Sequence, residues 1–154
     1  MKGVIHMHHY NNESIGRSIS FLNRYGSHYI NEQLREYNLS ASQYPYLAIL
    51  FQNEGLSQDE IASILKIDKG TAARSIAKLE QAGYVERKVF NVDKRIKKLY
   101  LTDKAHSFQP KLTSILLGWN NIITKDMSEE EAECALKLLN KMTFNAGAVL
   151  DKMK

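Results

Sequence analysis

Cysteine occurs once in the 154 residues, at Cys134, and proline twice, at Pro45 and Pro110. A single thiol excludes an intramolecular disulfide and fits a reducing compartment. Long apolar runs are missing too. The longest, Tyr46 to Phe51, is far too short to span a bilayer, and the opening MKGVIHMHHY lacks the apolar stretch of a secretory signal. A cytoplasmic protein with no membrane partner is expected. There is no Gly-rich phosphate loop, no H-E-x-x-H and no Cys–His pair, so neither enzyme activity nor a cofactor is expected.

What is present is a helical pattern with one interruption. The chain is 44% hydrophobic, enough for one domain or two small lobes sharing a core. Residues 12–38 place Ile15, Ile19, Leu22, Tyr29 and Leu34 on or near one helical face. Residues 43–53 form a short apolar helix with Pro45 in its first turn. Ser57 followed by Glu60 is a capping box that opens a third helix, with Ile61, Ile64 and Leu65 inward. The stretch KID breaks it, and Asp68 caps a fourth, KGTAARSIAKLEQAG, with Ala72, Ile76 and Leu79 inward and Gly83 at its end.

Residues 84–90 and 97–101 alternate as strands do and read as a hairpin around a polar bend. Thr102 or Asp103 then caps a long helix to about Thr124, carrying Leu112, Ile115, Leu116, Trp119, Ile122 and Ile123, with Pro110 placed to bend it. Ser128 and Glu131 make a second capping box. In the helix that follows, Ala132, Leu136, Leu139, Thr143, Ala146, Leu150 and Met153 step by fours and threes, a heptad-like seam.

Charge is nearly balanced overall, 21 Lys+Arg against 17 Asp+Glu, yet Lys94, Arg95, Lys97 and Lys98 crowd one bend. A basic tip can be no more than a solvated turn. Here it follows directly on a helix, a three-residue break and a second helix. That order is a helix-turn-helix, whose second helix enters a DNA major groove. Its outer face would offer Lys69, Thr71, Arg74, Ser75 and Lys78, with Gly70 letting the helix start approach a phosphate and Ser57 and Gln58 opening the preceding helix. An Arg on the hairpin would suit the negative potential of a narrow minor groove. The acidic Asp93 beside it would be repelled by phosphate and is better placed to order the turn.

The run EIASILKIDKGTAARSIAKLEQAGYVERKVFNVDKRIKKLYLT resembles the winged helix-turn-helix of the MarR family of bacterial transcription regulators. The family pattern L-E-x-x-G-hydrophobic-V-x-R matches Leu79, Glu80, Gly83, Tyr84, Val85 and Arg87, and its D-x-R then L-T wing signature matches Asp93, Arg95, Leu101 and Thr102. The resemblance implies a mainly α fold with a small β-hairpin wing. Residues 40–104 would form the DNA-binding domain, and residues 1–38 and 105–154 a helical dimerisation region. It implies a homodimeric repressor on a pseudo-palindromic double-stranded operator, responsive to a small lipophilic or phenolic effector. Two residues depart from the pattern: Lys66 stands where Gly is usual, which points to a rearranged turn, and Gly70 where Ser is common.

Other candidates carry less. Tyr10, Arg17, Tyr44 and Tyr46 could line an effector pocket, although aromatics at helical spacing are more often core. His6, His8 and His9 cluster near the start without a Cys or carboxylate at ligand spacing, so no metal is expected. Some relatives sense zinc, and the fold would have to bridge His28 and His106. Cys134 lies among carboxylates, which favour the inert thiol. The competing class is a dimeric protein-interaction module on the same scaffold that no longer binds an operator.

Overall fold

The structure is a computed structural model that describes residues 14–89 and 97–153. The chain divides into two compact units, Met1–Leu116 and Leu117–Lys154. The division falls inside a helix, whereas the sequence groups helices by expected role. Among the described residues, no helix is long and apolar enough to cross a membrane.

The first unit begins with α1, Ile15–Leu34, whose cap Ser14 accepts a hydrogen bond from the Arg17 amide at 3.4 Å. A 3-10 turn, Arg35–Tyr37, follows, and Asn38 ends it in the left-handed conformation that Asn tolerates. The helix therefore begins later and ends earlier than the pattern predicts. Its buried residues are Gly26, Ile30 and Leu34, near its C-terminal end, while Ile15, Ile19 and Leu22 are exposed. α2, Tyr44–Gln52, carries Pro45 in its first turn and buries Tyr46, Leu47 and Leu50.

Gly55 turns the chain at φ +77° and donates its amide to the Leu99 carbonyl at 2.8 Å. A Cβ there would lie 3.1 Å from the Tyr100 hydroxyl, so the tight approach and the backbone conformation both favour glycine. The turn delivers β1, Leu56–Ser57, a strand the sequence pattern does not reveal because two residues show no alternation. It pairs antiparallel with β3, Lys97–Leu101, which pairs in turn with β2, Val85–Val89, giving the order β1-β3-β2. The register runs from Val85 opposite Leu101 to Val89 opposite Lys97.

α3, Gln58–Leu65, starts on the expected capping box: the Ser57 amide donates to Glu60 Oε2 at 2.6 Å and the Glu60 amide to Ser57 Oγ at 3.3 Å. Ile61 and Ala62 are buried, but Ile64 is 55% exposed rather than inward. Ile61, Ala62 and Leu65 set the inner face, and Ile64 stands about 110° round from its centre at 3.6 residues per turn. Lys66 then takes the left-handed conformation itself, φ +55°. That is a conformation glycine adopts without strain, and the Ile67 amide reaches back to the Ala62 carbonyl at 3.0 Å.

α4, Lys69–Gln81, is capped by Asp68, whose Oδ1 accepts from the Thr71 amide at 2.8 Å. Gly83, at φ +79°, closes it, and the Tyr84 amide donates to the Leu79 carbonyl at 2.9 Å. α5, Asp103–Ile123, contains Pro110 and buries Ala105, Phe108, Leu112 and Ile115. Thr102 rather than Asp103 is its cap, accepting from the Ala105 amide at 3.3 Å. The core gathers Leu34, Leu47, Leu50, Ile61, Ile76, Leu79, Tyr84 and Leu99 as its largest fully buried side chains. In the second unit, α6, Glu129–Lys152, opens on the Ser128–Glu131 capping box and buries no residue.

Two expectations follow from these joints. Lys66→Gly removes a left-handed L-residue, whose cost is about 1–2 kcal/mol, so net stability should rise by about 1 kcal/mol and the Tm by about 2–4 °C; an unchanged Tm would show that Lys66 is not strained. The Glu60 carboxyl is held down to about 2 by bonds from the Ser57 backbone and side chain, and then from Lys98. Its folded pKa lies below its ordinary value of 4.5, so its contribution is complete above pH 4.5 and lost as pH falls toward 2. In acid titrations followed by circular dichroism, wild type should exceed Glu60→Gln in stability at neutral pH and lose that margin across this window.

Candidate nucleic-acid interface

The α3–turn–α4 unit sets one helix against the core and turns the outer face of the next to solvent. Ala72, Ser75, Ile76 and Leu79 are buried on α4, at spacings of three and four. Lys69, Gly70, Arg74 and Lys78 are exposed and Thr71 partly so. Ser75 is a correction: it is only 8% exposed and belongs to the inner face, because it follows Ala72 by three residues and precedes Leu79 by four. It cannot meet a base edge from there.

The exposed cations are not equivalent. Lys69 Nζ is paired with Asp59 Oδ2 at 2.6 Å across the turn, and Lys98 Nζ with Glu60 Oε2 at 3.1 Å. Lys88, opposite Lys98 in the sheet, pairs with Glu86 at 2.8 Å and lies 4.9 Å from the Tyr100 ring centre. Those partners are ten or more residues away for Lys69 and Lys98, so no local spacing announces them. Lys97 is exposed at the start of β3. Arg74 Nη2 donates to Thr71 Oγ1 at 3.0 Å. The Asp68 carboxyl is held below its ordinary range first by a bond from the Thr71 side chain, then by the Thr71 amide, with the Arg74 charge adding to it. Ser57 is engaged in its cap, and Gln58 is partly buried at the first position of α3. Asp93, Lys94 and Arg95 lie outside the described residues.

The motif residues around this face serve as joints. Arg87 Nε lies 2.9 Å from each oxygen of Glu80, tying β2 to the last turn of α4. Thr102 Oγ1 donates to the Gly83 carbonyl at 2.7 Å, and Lys104 Nζ to the Ala82 carbonyl at 2.7 Å. These bonds fix where the exposed face of α4 stands relative to the sheet.

The effector candidates are not gathered in the same way. Tyr46 is 2% exposed within the core, Tyr44 is partly buried on the same helix, Arg17 is exposed on α1, and Tyr10 lies outside the described residues. His106 pairs with Glu54 at 3.0 Å, His28 is exposed on α1, and His6, His8 and His9 lie outside the described residues. Among the described residues, no group of three or more His, Cys, Asp or Glu side chains is placed to hold a metal ion. Cys134 is exposed on α6.

Comparison with known proteins meets the same geometry. Residues 39–97 match the model of the MarR family. The HTH-type transcriptional regulator YybA of Bacillus subtilis (strain 168), itself uncharacterized, is 31% identical over 115 residues, covering 75% of this chain and 77% of that protein. A MarR transcriptional regulator from Methanosarcina mazei Go1 superposes with a TM-score of 0.82 at 33% identity, over 88% of this chain and 90% of that one. A Listeria monocytogenes protein, solved as a MarR family transcriptional regulator complexed with 26mer DNA, gives 0.79 at 30% identity over 86% and 89%. The chain belongs to the MarR family of winged helix-turn-helix transcription regulators and is not an enzyme.

Proposed function

We propose that this regulator is a homodimeric repressor that binds a pseudo-palindromic operator and responds to a small lipophilic or phenolic effector. The observation that carries the dimer is the α6 seam. Leu136, Leu139, Leu150 and Met153 are 59%, 43%, 50% and 77% exposed, in a heptad-like row. Ile15, Ile19, Leu22 and Tyr25 leave the N-terminal half of α1 apolar and exposed as well. Apolar surface on this scale marks an interface, and here its matched spacing points to a second copy. In this reading residues 1–38 and 105–154 form the dimerisation region and residues 40–104 bind DNA.

The DNA contacts we assign are Thr71 and Arg74 to base edges, and Lys69, Lys78, Lys94, Arg95 and Lys97 to the backbone and flanking minor groove. Gln58 and Gly70 bring backbone amides at helix starts near phosphate, while the Ser57 amide stays with Glu60 in its cap. The Listeria relative solved in complex with 26mer DNA supports DNA binding. The effector part of the reading rests on family likeness, with Arg17, exposed, and Tyr44, partly buried, the described candidates that reach the surface.

Light scattering should return a mass near twice 17.6 kDa, with an interface above about 2,000 Å² in total; a stable folded monomer at micromolar concentration would refute the dimer. Gel shifts with genomic fragments at two salt concentrations test the DNA reading. Binding should saturate on one fragment and fall steeply with salt. Arg74→Ala should weaken that binding by about 1–3 kcal/mol and relax one position in each half-site. Equal weakening on every fragment would confine Arg74 to phosphate.

A further inference from the structure

We infer that Asp68, Thr71 and Arg74 form a relay that aims the Arg74 guanidinium at a guanine in each half-site. The inference rests on the DNA-binding reading above and adds what is read and what sets it.

The geometry runs in one direction. Arg74 Nη2 donates to Thr71 Oγ1 at 3.0 Å. The Asp68 carboxylate, three residues back at the helix cap, is held below its ordinary range first by the Thr71 side chain. The Thr71 amide donates to the same carboxylate at 2.8 Å, so the acceptor is fixed by the backbone of the helix start. A cation at one end and an anion at the other make both bonds charge-assisted.

Gly70 marks where the guanidinium lies. A Cβ on Gly70 would sit 3.2 Å from Asp68 Oδ1 and 3.6 Å from Arg74 Nη1. The arginine is thus folded back along the start of α4, over a residue without a side chain. Glycine in a first turn is a poorer helix former than alanine. The cap itself uses the Asp68 carboxylate and the Thr71 amide, and needs neither the Thr71 hydroxyl nor Arg74. The relay is therefore separable from helix stability. Arg carries five N–H donors, and one bond to Thr71 leaves the planar group able to span O6 and N7 of a guanine. A guanidinium already held in one direction loses less freedom on binding, and it discriminates by angle as well as by charge.

The test uses the full-length chain and duplexes with a randomised centre, selected in parallel by wild type, Thr71→Val, Thr71→Ser and Gly70→Ala, with thermal melting as the folding control. Wild type should enrich a two-fold related sequence with a guanine in each half. Thr71→Val should lower the enrichment of that guanine about tenfold, within the range for one bidentate base contact. Its salt dependence on a fixed non-cognate duplex should not change, since no charge is lost. Thr71→Ser should retain the guanine, and so should Gly70→Ala, whose Cβ would stand at ordinary contact distance from Arg74. Retention of the guanine by Thr71→Val, or its equal loss in Thr71→Ser, overturns the relay while leaving DNA binding intact. A wild-type chain that enriches no sequence overturns the DNA-binding reading, and the relay with it. Should Thr71→Val fail to fold, Thr71→Ala takes its place, with the same outcomes expected.

Discussion

The placement of the recognition helix depends on one buried phenol. Tyr84 lies where α4 ends and β2 begins, and it is among the largest fully buried side chains. Its hydroxyl donates to the Tyr37 carbonyl at 3.0 Å, which reaches the turn after α1, and its ring meets Phe108 of α5 edge-on at 5.4 Å. Phe108 in turn packs on Tyr37 at 4.7 Å. Burial pushes the phenol above its ordinary range, so it stays a donor wherever the protein works. The Lys104 ammonium sits 4.4 Å from the ring centre while bonding the Ala82 carbonyl. A single residue thereby joins α1, α4, the sheet and α5. The left-handed Gly83 beside it sets the angle at which α4 leaves that joint.

Around this fixed point the charges sort into two kinds. Lys69 and Lys98 are held by Asp59 and Glu60, both in the first turn of α3, where negative charge also suits the helix dipole. Exposed pairs of this sort contribute little stability, typically well under 1 kcal/mol each. Their effect is geometric. Glu60 closes its own helix cap and bonds Lys98 of β3, which ties the wing strand to the start of the helix-turn-helix. A charged face of this kind has fewer loose cations than a count of lysines implies, and those that remain exposed are the ones that can release counterions from DNA.

Much of this was legible in the sequence because it is written locally. The capping boxes at Ser57 and Ser128, the Asp68 cap and the Gly83 terminus each depend on residues within four of one another, and all are present. The two strand stretches of the hairpin and the heptad spacing are likewise local patterns. What escaped was set by distant contacts. β1 exists because Gly55 presents two residues to the edge of β3. Ser75 reads as a polar outer residue by type, yet its spacing from Ala72 and Leu79 places it inside. Tyr46 reads as a pocket residue by chemistry and sits in the core. The ion pair of Lys69 spans the turn from a residue ten places earlier, and no periodicity reports it.

Lys66 shows how strain and function separate in this unit. Its left-handed backbone ends α3 and turns the chain toward Asp68, so the conformation is needed to present α4. Glycine would supply it at lower cost, and the chain carries lysine there instead. At Gly70 the order is reversed: a regular helical position that any residue could fill is held by glycine, and the space goes to Asp68 and Arg74. The first turn of α4 therefore gives up helix propensity at the one place where a Cβ would press on the Asp68 cap and touch Arg74. The turn before it carries the strain of a left-handed lysine. Each departure costs a small amount of stability, and both lie in the segment that presents α4.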